Sequence, residues 1–313
     1  MNLLGSLKYL VALDEHKHFG RAAQACHITQ PALSNALRAI EQEFGCAIVT
    51  RGRTFVGFTP EGQRVLSSAR RMLQERELLG QDLQSSVGKP RGSLRIGVVP
   101  TAVPIAARFA AMLQARYAGI APAVLSLSSP EIETGLENLS LDLGLGYTDR
   151  LQQLGISLGT VPQYVEHYFL VRRAATPHAE QLQFGAPIGW AQAASLPLCL
   201  LTPDMHNRTL VDKAFAAAGA AVKPVIETNS IMSLALSVVV GEVCSVLPGA
   251  LVGAVRGYRE LEALPLVEPQ VLTPVGFMVQ AGDRHSRTLE AAIGLAREAR
   301  WLAHAAANSG VLS

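Results

Sequence analysis

Charge is scarce in this chain: Asp, Glu, Lys and Arg make up 17% of its 313 residues, against about a quarter in ordinary globular domains. A surface laced with ion pairs is therefore excluded, and Ala, Gly, Ser, Thr and Gln must cover much of it. Paired cysteines are missing as well. Cys26, Cys46, Cys199 and Cys244 lie far apart and form no CxxC, so four reduced, mostly buried thiols are expected. No apolar run is long enough to cross a bilayer. The most apolar window, Leu234 to Leu247, has 14 residues and contains Glu242, whereas a span needs about 20. The opening Met1-Asn2-Leu3-Leu4-Gly5-Ser6-Leu7-Lys8 has no basic stretch ahead of an apolar core, so no export signal is expected. These absences together predict a cytoplasmic protein with no membrane partner. Disorder is excluded from the other direction, because 49% of the residues are hydrophobic.

The length allows two or three domains, and the charge is unevenly placed among them. Residues 1–90 carry 11 Lys/Arg against 8 Asp/Glu, a balance of +3; residues 91–313 carry 16 against 17, a balance of −1. The basic excess hints at an anionic partner for the N-terminal end. Residues 1–58 read as short helices followed by a small hairpin, Ala47 to Val49 and Phe55 to Phe58. From Pro60 to about Ser86 an amphipathic helix carries Val65, Ala69, Met72, Leu79 and Leu83 at steps of three and four. With no nearby sequence to pack against, that stripe is expected to pair with a second copy of the helix.

Gly88, Pro90 and Gly92 close the helix, and the grammar then changes. Leu94 to Val99, Ala123 to Leu127 and Asp142 to Gly146 read as buried strands separated by helices, which is the signature of βαβ units and a parallel sheet. The pattern restarts near His167 with strands at Tyr168–Val171, Leu198–Leu201, Val225–Glu227 and Ser245–Leu247. An extended stretch at Val275–Val279 precedes a C-terminal helix, His285 to His304. Two α/β lobes joined near residues 160–166 and 264–275 fit best. The expected division is 1–59, 60–90 and 91–313. Lobe I then takes residues 91–163 with 268–313, and lobe II takes 164–267.

The run from Phe19 to Arg38 has the logic of a helix–turn–helix. Small residues at Ala22, Ala23 and Ala25 allow close crossing by a second helix that begins near Pro31. Thr29, Gln30, Ser34, Asn35 and Arg38 share a face by spacing, with short polar side chains suited to base edges in the major groove. Arg51 and Arg53 on the hairpin are placed to grip phosphates. Ala-rich helix pairs are common, so this pattern alone does not decide for DNA.

The residues also resemble the LysR-type transcriptional regulators. Phe19-x-Arg21-Ala22-Ala23, Thr29-Gln30-Pro31-Ala32-Leu33-Ser34, Ile40-Glu41 with Phe44-Gly45, and Thr59-Pro60-Glu61-Gly62 match that family's signature in order and spacing. The resemblance implies a winged helix–turn–helix, a dimerising linker helix and a two-lobed effector domain shaped like a periplasmic binding protein. It also implies a dimer of dimers on double-stranded promoter DNA, with RNA polymerase as a further partner. Carried over, Arg21, Gln30, Pro31, Ser34 and Arg38 approach DNA, and Arg51 and Arg53 fall on the wing. Three departures stand out: His18 replaces a usual Ser, Asn35 a frequent basic residue, and Ala47-Ile48-Val49 the usual Leu-Phe before the wing. The chain is further similar to the LysR-type regulators encoded beside molybdenum-dependent formate dehydrogenases, which would make formate metabolism the regulated process.

In open α/β sheets, ligands bind beyond the carboxyl ends of the strands. Here those ends carry Thr101, Ser128, Ser129, Tyr147, Thr202 and Asn229. At helix starts, such groups and free backbone N–H donors suit an anion, so a small, singly charged effector is expected. N-capping uses the same residue types; convergence of several ends on one cleft is what favours the ligand. His206 and Arg208 are weaker candidates, since nothing fixes their direction. Asp142-Leu143-Gly144-Leu145-Gly146 lacks the spacing of a nucleotide loop, and His16, His18 and His27 lack a zinc partner set. No catalytic triad is readable. The sequence therefore predicts an effector-controlled DNA-binding regulator with no enzyme activity, metal or cofactor. A solute-binding receptor or an enzyme on the same two-lobed fold is the rival.

Overall fold

A computed structural model describes residues 2–52, 54–84, 89–156, 158–281 and 285–309. The chain divides into two compact units, the first centred on residues 1–88 and the second built from residues 89–137 and 141–313.

The first unit opens with three helices, α1 (Leu3–His16), α2 (Phe19–Ala25) and α3 (Gln30–Phe44). Each start has a local cause. Asn2 Oδ1 accepts from Gly5 N at 3.1 Å, His18 Nδ1 from Gly20 N at 3.0 Å, and Thr29 Oγ1 from Ala32 N at 3.3 Å. The turn between α2 and α3 holds His27 in left-handed geometry (φ 55°), and Gly45 ends α3 at φ 64°. Leu10, Leu13, Ala22, Leu33 and Ile40 meet at the centre with no exposed surface. Strands β1 (Val49–Arg51) and β2 (Phe55–Phe58) form an antiparallel hairpin. Glu41 Oε1 ties it to α3 by accepting from Ile48 N at 3.0 Å and Val49 N at 3.3 Å.

Helix α4 (Pro60–Gln84) starts on Thr59, whose hydroxyl donates to Ala47 O at 2.6 Å and accepts from Gly62 N at 2.9 Å. Gly62 is required there, since a Cβ would sit 2.0 Å from Ile48 O. The expectation that α4 finds nothing nearby in sequence fails for its first half. Leu66 and Ala69 are buried in the core with α1, and Val65 packs half-buried beside them. Arg70 Nη2 also donates to Asp14 Oδ2 at 2.6 Å, joining α4 to α1. Ala69 is therefore withdrawn from any partner, while Met72, Leu79 and Leu83 are exposed.

The second unit contains two sheets. In lobe I, β3 (Gly92–Val98), β4 (Ile120–Ser126), β5 (Leu143–Tyr147), β6 (Leu158–Glu166) and β14 (Thr273–Gln280) run in the order β4-β3-β5-β14-β6. A short 3-10 turn, Pro100–Ala102, leads into α5 (Val103–Arg116), and α6 (Ser129–Glu137) and α7 (Asp149–Leu154) follow β4 and β5. Lobe II holds β7 (Tyr168–Arg173), β8 (Gln183–Phe184), β9 (Ile188–Gly189), β10 (Leu198–Leu201), β11 (Ile226–Thr228), β12 (Cys244–Pro248) and β13 (Leu261–Val267). Its helices are α8 (Trp190–Ala193), α9 (His206–Ala217), α10 (Ile231–Val240) and α11 (Gly249–Ala254). The lobe II order is β11-β10-β12-β7-β13-β8, with β9 beside β13.

Three sequence expectations are corrected. Both sheets are mixed: β14 runs antiparallel to β5 and β6, as β7 does to β12 and β13. Lobe I extends to Glu166, which pairs with Thr273 across β6 and β14, because the strand continues past residue 163. The C-terminal helix is two helices, α12 (Arg287–Ala296) and α13 (Ala299–Ala307), broken at Arg297-Glu298. Phe109, Phe277 and Trp301 form the aromatic centre of lobe I, with ring centroids 4.5 and 5.0 Å from Phe109.

Candidate DNA-binding face and effector cavity

On α3, Gln30, Pro31, Asn35 and Arg38 are exposed, and Ser34 is half-buried beside them. Leu33, Leu37 and Ile40 turn inward, so packing on one side leaves the polar side to solvent. Arg38 Nη1 donates to Asn35 Oδ1 at 3.0 Å, which holds the guanidinium along the helix rather than free. Asn35 thus positions Arg38, an answer to its unusual place in the motif. Arg21 is spent differently: its Nη2 donates to His16 O at 2.9 Å, fastening α2 to the end of α1. Thr29 is the N-cap of α3. Phe19, Ser34, Leu37, Arg38, Val49 and Gly52 line a groove between α3 and the hairpin. Arg53 and the side chain of Arg51 lie outside the described residues.

In the second unit, Thr101, Ser128, Ser129 and Tyr147 are brought to one cavity between the lobes. His206 and Asn207 from the start of α9 complete it. The cavity leaves about 10 Å³, room for a single water. Tyr147 OH lies 2.8 Å from Thr101 Oγ1 and accepts from Asn207 Nδ2 at 3.3 Å. Burial pushes the Tyr147 hydroxyl well above the usual phenol range, so it stays protonated. The His206 ring lies tilted against the Tyr147 ring, centroids 5.1 Å apart, and burial lowers its pKa, with the nearby Arg150 adding to the effect. Ser129 Oγ and His206 Nε2 are buried and have no hydrogen-bond partner among the described residues, and Thr202 Oγ1 shares that condition. Buried polar groups left this way call for a partner of their own.

Not every expected residue is free for a ligand at this cavity. Ser128 donates both its N–H (2.8 Å) and its hydroxyl (2.6 Å) to Glu131 Oε2, the capping alternative in action. Those bonds hold the Glu131 carboxyl below the usual range. Asn229 lies at a different, larger cavity. Arg208 is fully committed to Leu201 O (2.6 Å), Glu227 (2.7 Å) and Asp212 (2.8 Å). Sequence reasoning missed Asn207, whose only advance signal is its place two residues inside a helix that begins beyond a strand end. Neither Cys199 nor Cys244 lines the cavity. Cys199 and Cys244 sit on neighbouring strands but in the cores on opposite faces of the sheet, and burial raises both thiols.

A winged helix–turn–helix in one unit and a two-lobed sheet pair around a polar cavity in the other define a ligand-responsive DNA-binding regulator. The family comparisons agree: residues 4–63 match the bacterial regulatory helix-turn-helix protein model of the lysR family, and residues 88–301 match the LysR substrate binding domain. The chain belongs to the LysR family of transcriptional regulators. Among relatives, it is 27% identical over 289 residues to the DNA-binding transcriptional dual regulator OxyR of Escherichia coli K12, covering 88% of this chain and 89% of that protein. It is 32% identical over 194 residues to the hydrogen peroxide-inducible genes activator of Haemophilus influenzae, an alignment spanning 61% of this chain and 59% of that one.

The fold also matches solved structures. A full-length OxyR variant from Pseudomonas aeruginosa gives a TM-score of 0.69 at 22% identity, covering 93% of this chain and 96% of that chain. Full-length CbnR in complex with its target DNA gives 0.63 at 17% identity, covering 97% and 99%. These relatives are regulators and not enzymes. None of those named here is described as a formate dehydrogenase regulator. Among the described residues no helix is long and apolar enough to cross a membrane.

Proposed function

We propose that this regulator is switched by a small polar effector that binds between the lobes at Thr101, Ser129, Tyr147 and His206 and holds them further apart than here, where the cavity has room for a single water. The observation that carries the reading is the pair of orphaned atoms, Ser129 Oγ and His206 Nε2, buried at one cavity. A small carboxylate suits them. Helix α9 begins without a side-chain cap, so its first N–H groups and partial positive charge face the same place. Formate is the smallest such anion and the first to test. A peroxide response is the second reading, favoured by the names of the relatives. The buried, separated cysteines speak against a thiol version of it, since reactive thiols are exposed and lowered in pKa.

On the DNA side, α3 and the hairpin serve as reader and wing. The exposed Met72, Leu79 and Leu83 of α4 join two copies, and two such dimers make the assembly that meets promoter DNA and RNA polymerase. The test is to select a binding site from random duplex DNA and footprint it with and without formate. A footprint that changes in extent with formate supports the reading. One that is indifferent to small carboxylates but altered by hydrogen peroxide refutes it.

A further inference from the structure

Helix α2 opens on a histidine rather than a hydroxyl, and the capping bonds fix which ring nitrogen carries the proton. His18 Nδ1 accepts from Gly20 N at 3.0 Å and from Arg21 N at 3.3 Å. A ring nitrogen that accepts has no hydrogen of its own, so the neutral ring carries its proton on Nε2. The two ring nitrogens point away from each other, and with Nδ1 turned to α2 the Nε2–H is turned from it. His18 is exposed, and among the described residues its ring makes no hydrogen bond beyond those two. Gln30, the first residue of α3, ends beside it. His18 Cε1 and Gln30 Oε1 lie 3.1 and 3.6 Å from the point where a Cβ on Gly20 would stand. The cationic neighbours of His18 are engaged within the first unit, Lys17 with Asp14 and Arg21 with His16 O.

We infer, on the reading of α3 as the recognition helix, that His18 is a DNA-contacting residue whose neutral Nε2–H donates to one phosphate oxygen beside the bases that α3 meets. In a helix–turn–helix the first helix crosses the sugar–phosphate backbone, while the N-terminal residues of the second reach base edges. Gln30 is such an N-terminal residue, and His18 stands next to it at the start of the crossing helix. A phosphate oxygen only accepts and Nε2–H only donates, so the two are matched. The contact sets the register of the protein on the duplex without reading sequence. Because the ring is uncharged it displaces no counterion, so its contribution to binding is independent of salt. That separates it from any Lys or Arg on phosphate. A serine in its place accepts the same two N–H groups but ends well short of the ring's outer nitrogen.

The test compares full-length His18→Ser, His18→Ala and Gln30→Ala with the parent on a duplex that the parent has selected, by fluorescence anisotropy over a range of salt. Serine is a strong cap, so His18→Ser should melt with the parent. It should nevertheless bind about tenfold more weakly, the loss of one hydrogen bond to a charged group. Random duplex should lose by the same factor, and log Kd against log salt should keep the parent's slope. His18→Ala loses the cap as well and should melt earlier. Phosphate-ethylation interference should show one blocking position for the parent that is silent for His18→Ser. The inference is overturned if His18→Ser binds as tightly as the parent, which leaves His18 a cap alone. It is also overturned if no interference position differs, or if the salt slope falls by about one, the mark of a cationic contact. Gln30→Ala checks the recognition helix separately: unchanged binding there, with His18→Ser weakened, refutes α3 as reader and leaves the phosphate contact standing.

Discussion

Asn207 Nδ2 donates to the Tyr147 hydroxyl at 3.3 Å, so a side chain of lobe II reaches a hydroxyl of lobe I. The same hydroxyl lies 2.8 Å from Thr101 Oγ1, and the three groups form a chain across the cleft. Removing the bridging donor by Asn207→Ala costs about 0.5–1.5 kcal/mol of closure. Hydrogen exchange at the backbone of Thr101 and Asn207 should quicken in that variant, with DNA binding retained. Unchanged exchange at both positions would show that the bond does not hold the lobes.

The recognition helix makes a separate prediction. Arg38→Ala and Gln30→Ala should each weaken binding to a selected site by about 1–3 kcal/mol and relax preference at the base they read. Asn35→Ala should act through Arg38, whose guanidinium it holds at 3.0 Å. Fluorescence anisotropy would then show the Asn35→Ala and Arg38→Ala losses to be less than additive. Full additivity would mean the two side chains act independently on DNA.

Helix α4 offers a contrast between two substitutions ten residues apart. Leu79 is 56% exposed and Ala69 0%. Leu79→Asp places a charge in the seam proposed between copies, so sedimentation should show loss of dimers while both units stay folded. Ala69→Asp instead buries an unpaired charge in the core of the first unit, which should melt early. Intact assembly in Leu79→Asp would remove the seam from that face.

Glu166 is fully buried where lobe I passes into lobe II, with Oε1 accepting from Ala250 N at 3.1 Å and Oε2 without a partner among the described residues. Burial pushes its carboxyl up from an ordinary 4.5 to about 8. Below pH 4.5 both folded and unfolded chains hold the proton; between 4.5 and 8 mainly the folded chain does. Folded stability therefore falls as pH rises through that window. Glu166→Gln keeps an acceptor for Ala250 and should flatten the slope, gaining about 2–5 kcal/mol at pH 8 relative to the parent. Denaturant titrations at pH 5 and pH 8 measure it, and parallel slopes for the two proteins would contradict the account.

Much of the fold is legible in the sequence alone. Thr29, Pro31 and Gly45 announce α3 through capping chemistry that depends only on neighbours, and Thr59 and Gly62 announce the start of α4 in the same way. The alternation of strands and helices announced two lobes. Less legible was whatever depends on residues distant in sequence. The antiparallel strand β14 pairs with β5 and β6, far earlier in the chain, and Ala69 finds α1 some fifty residues upstream. Ser128 shows a subtler limit: a hydroxyl at a strand end serves a cap or a ligand equally well, and only the position of Glu131 decides. Asn207 and His206 needed the lobes in place before their direction meant anything.

The central claim is that the polar cavity around Ser129 and His206 receives the effector, and calorimetric titration of the full-length chain with formate tests it most directly. Saturable binding is expected, weakened in Ser129→Ala by about 1.5–3 kcal/mol, the loss of one hydrogen bond to a charged group. His206→Leu should weaken it as well, while both variants still bind DNA. The contradicting result is silence toward formate, acetate and other small carboxylates, together with a footprint that shifts on hydrogen peroxide treatment and a mass gain of one oxygen on Cys199 or Cys244.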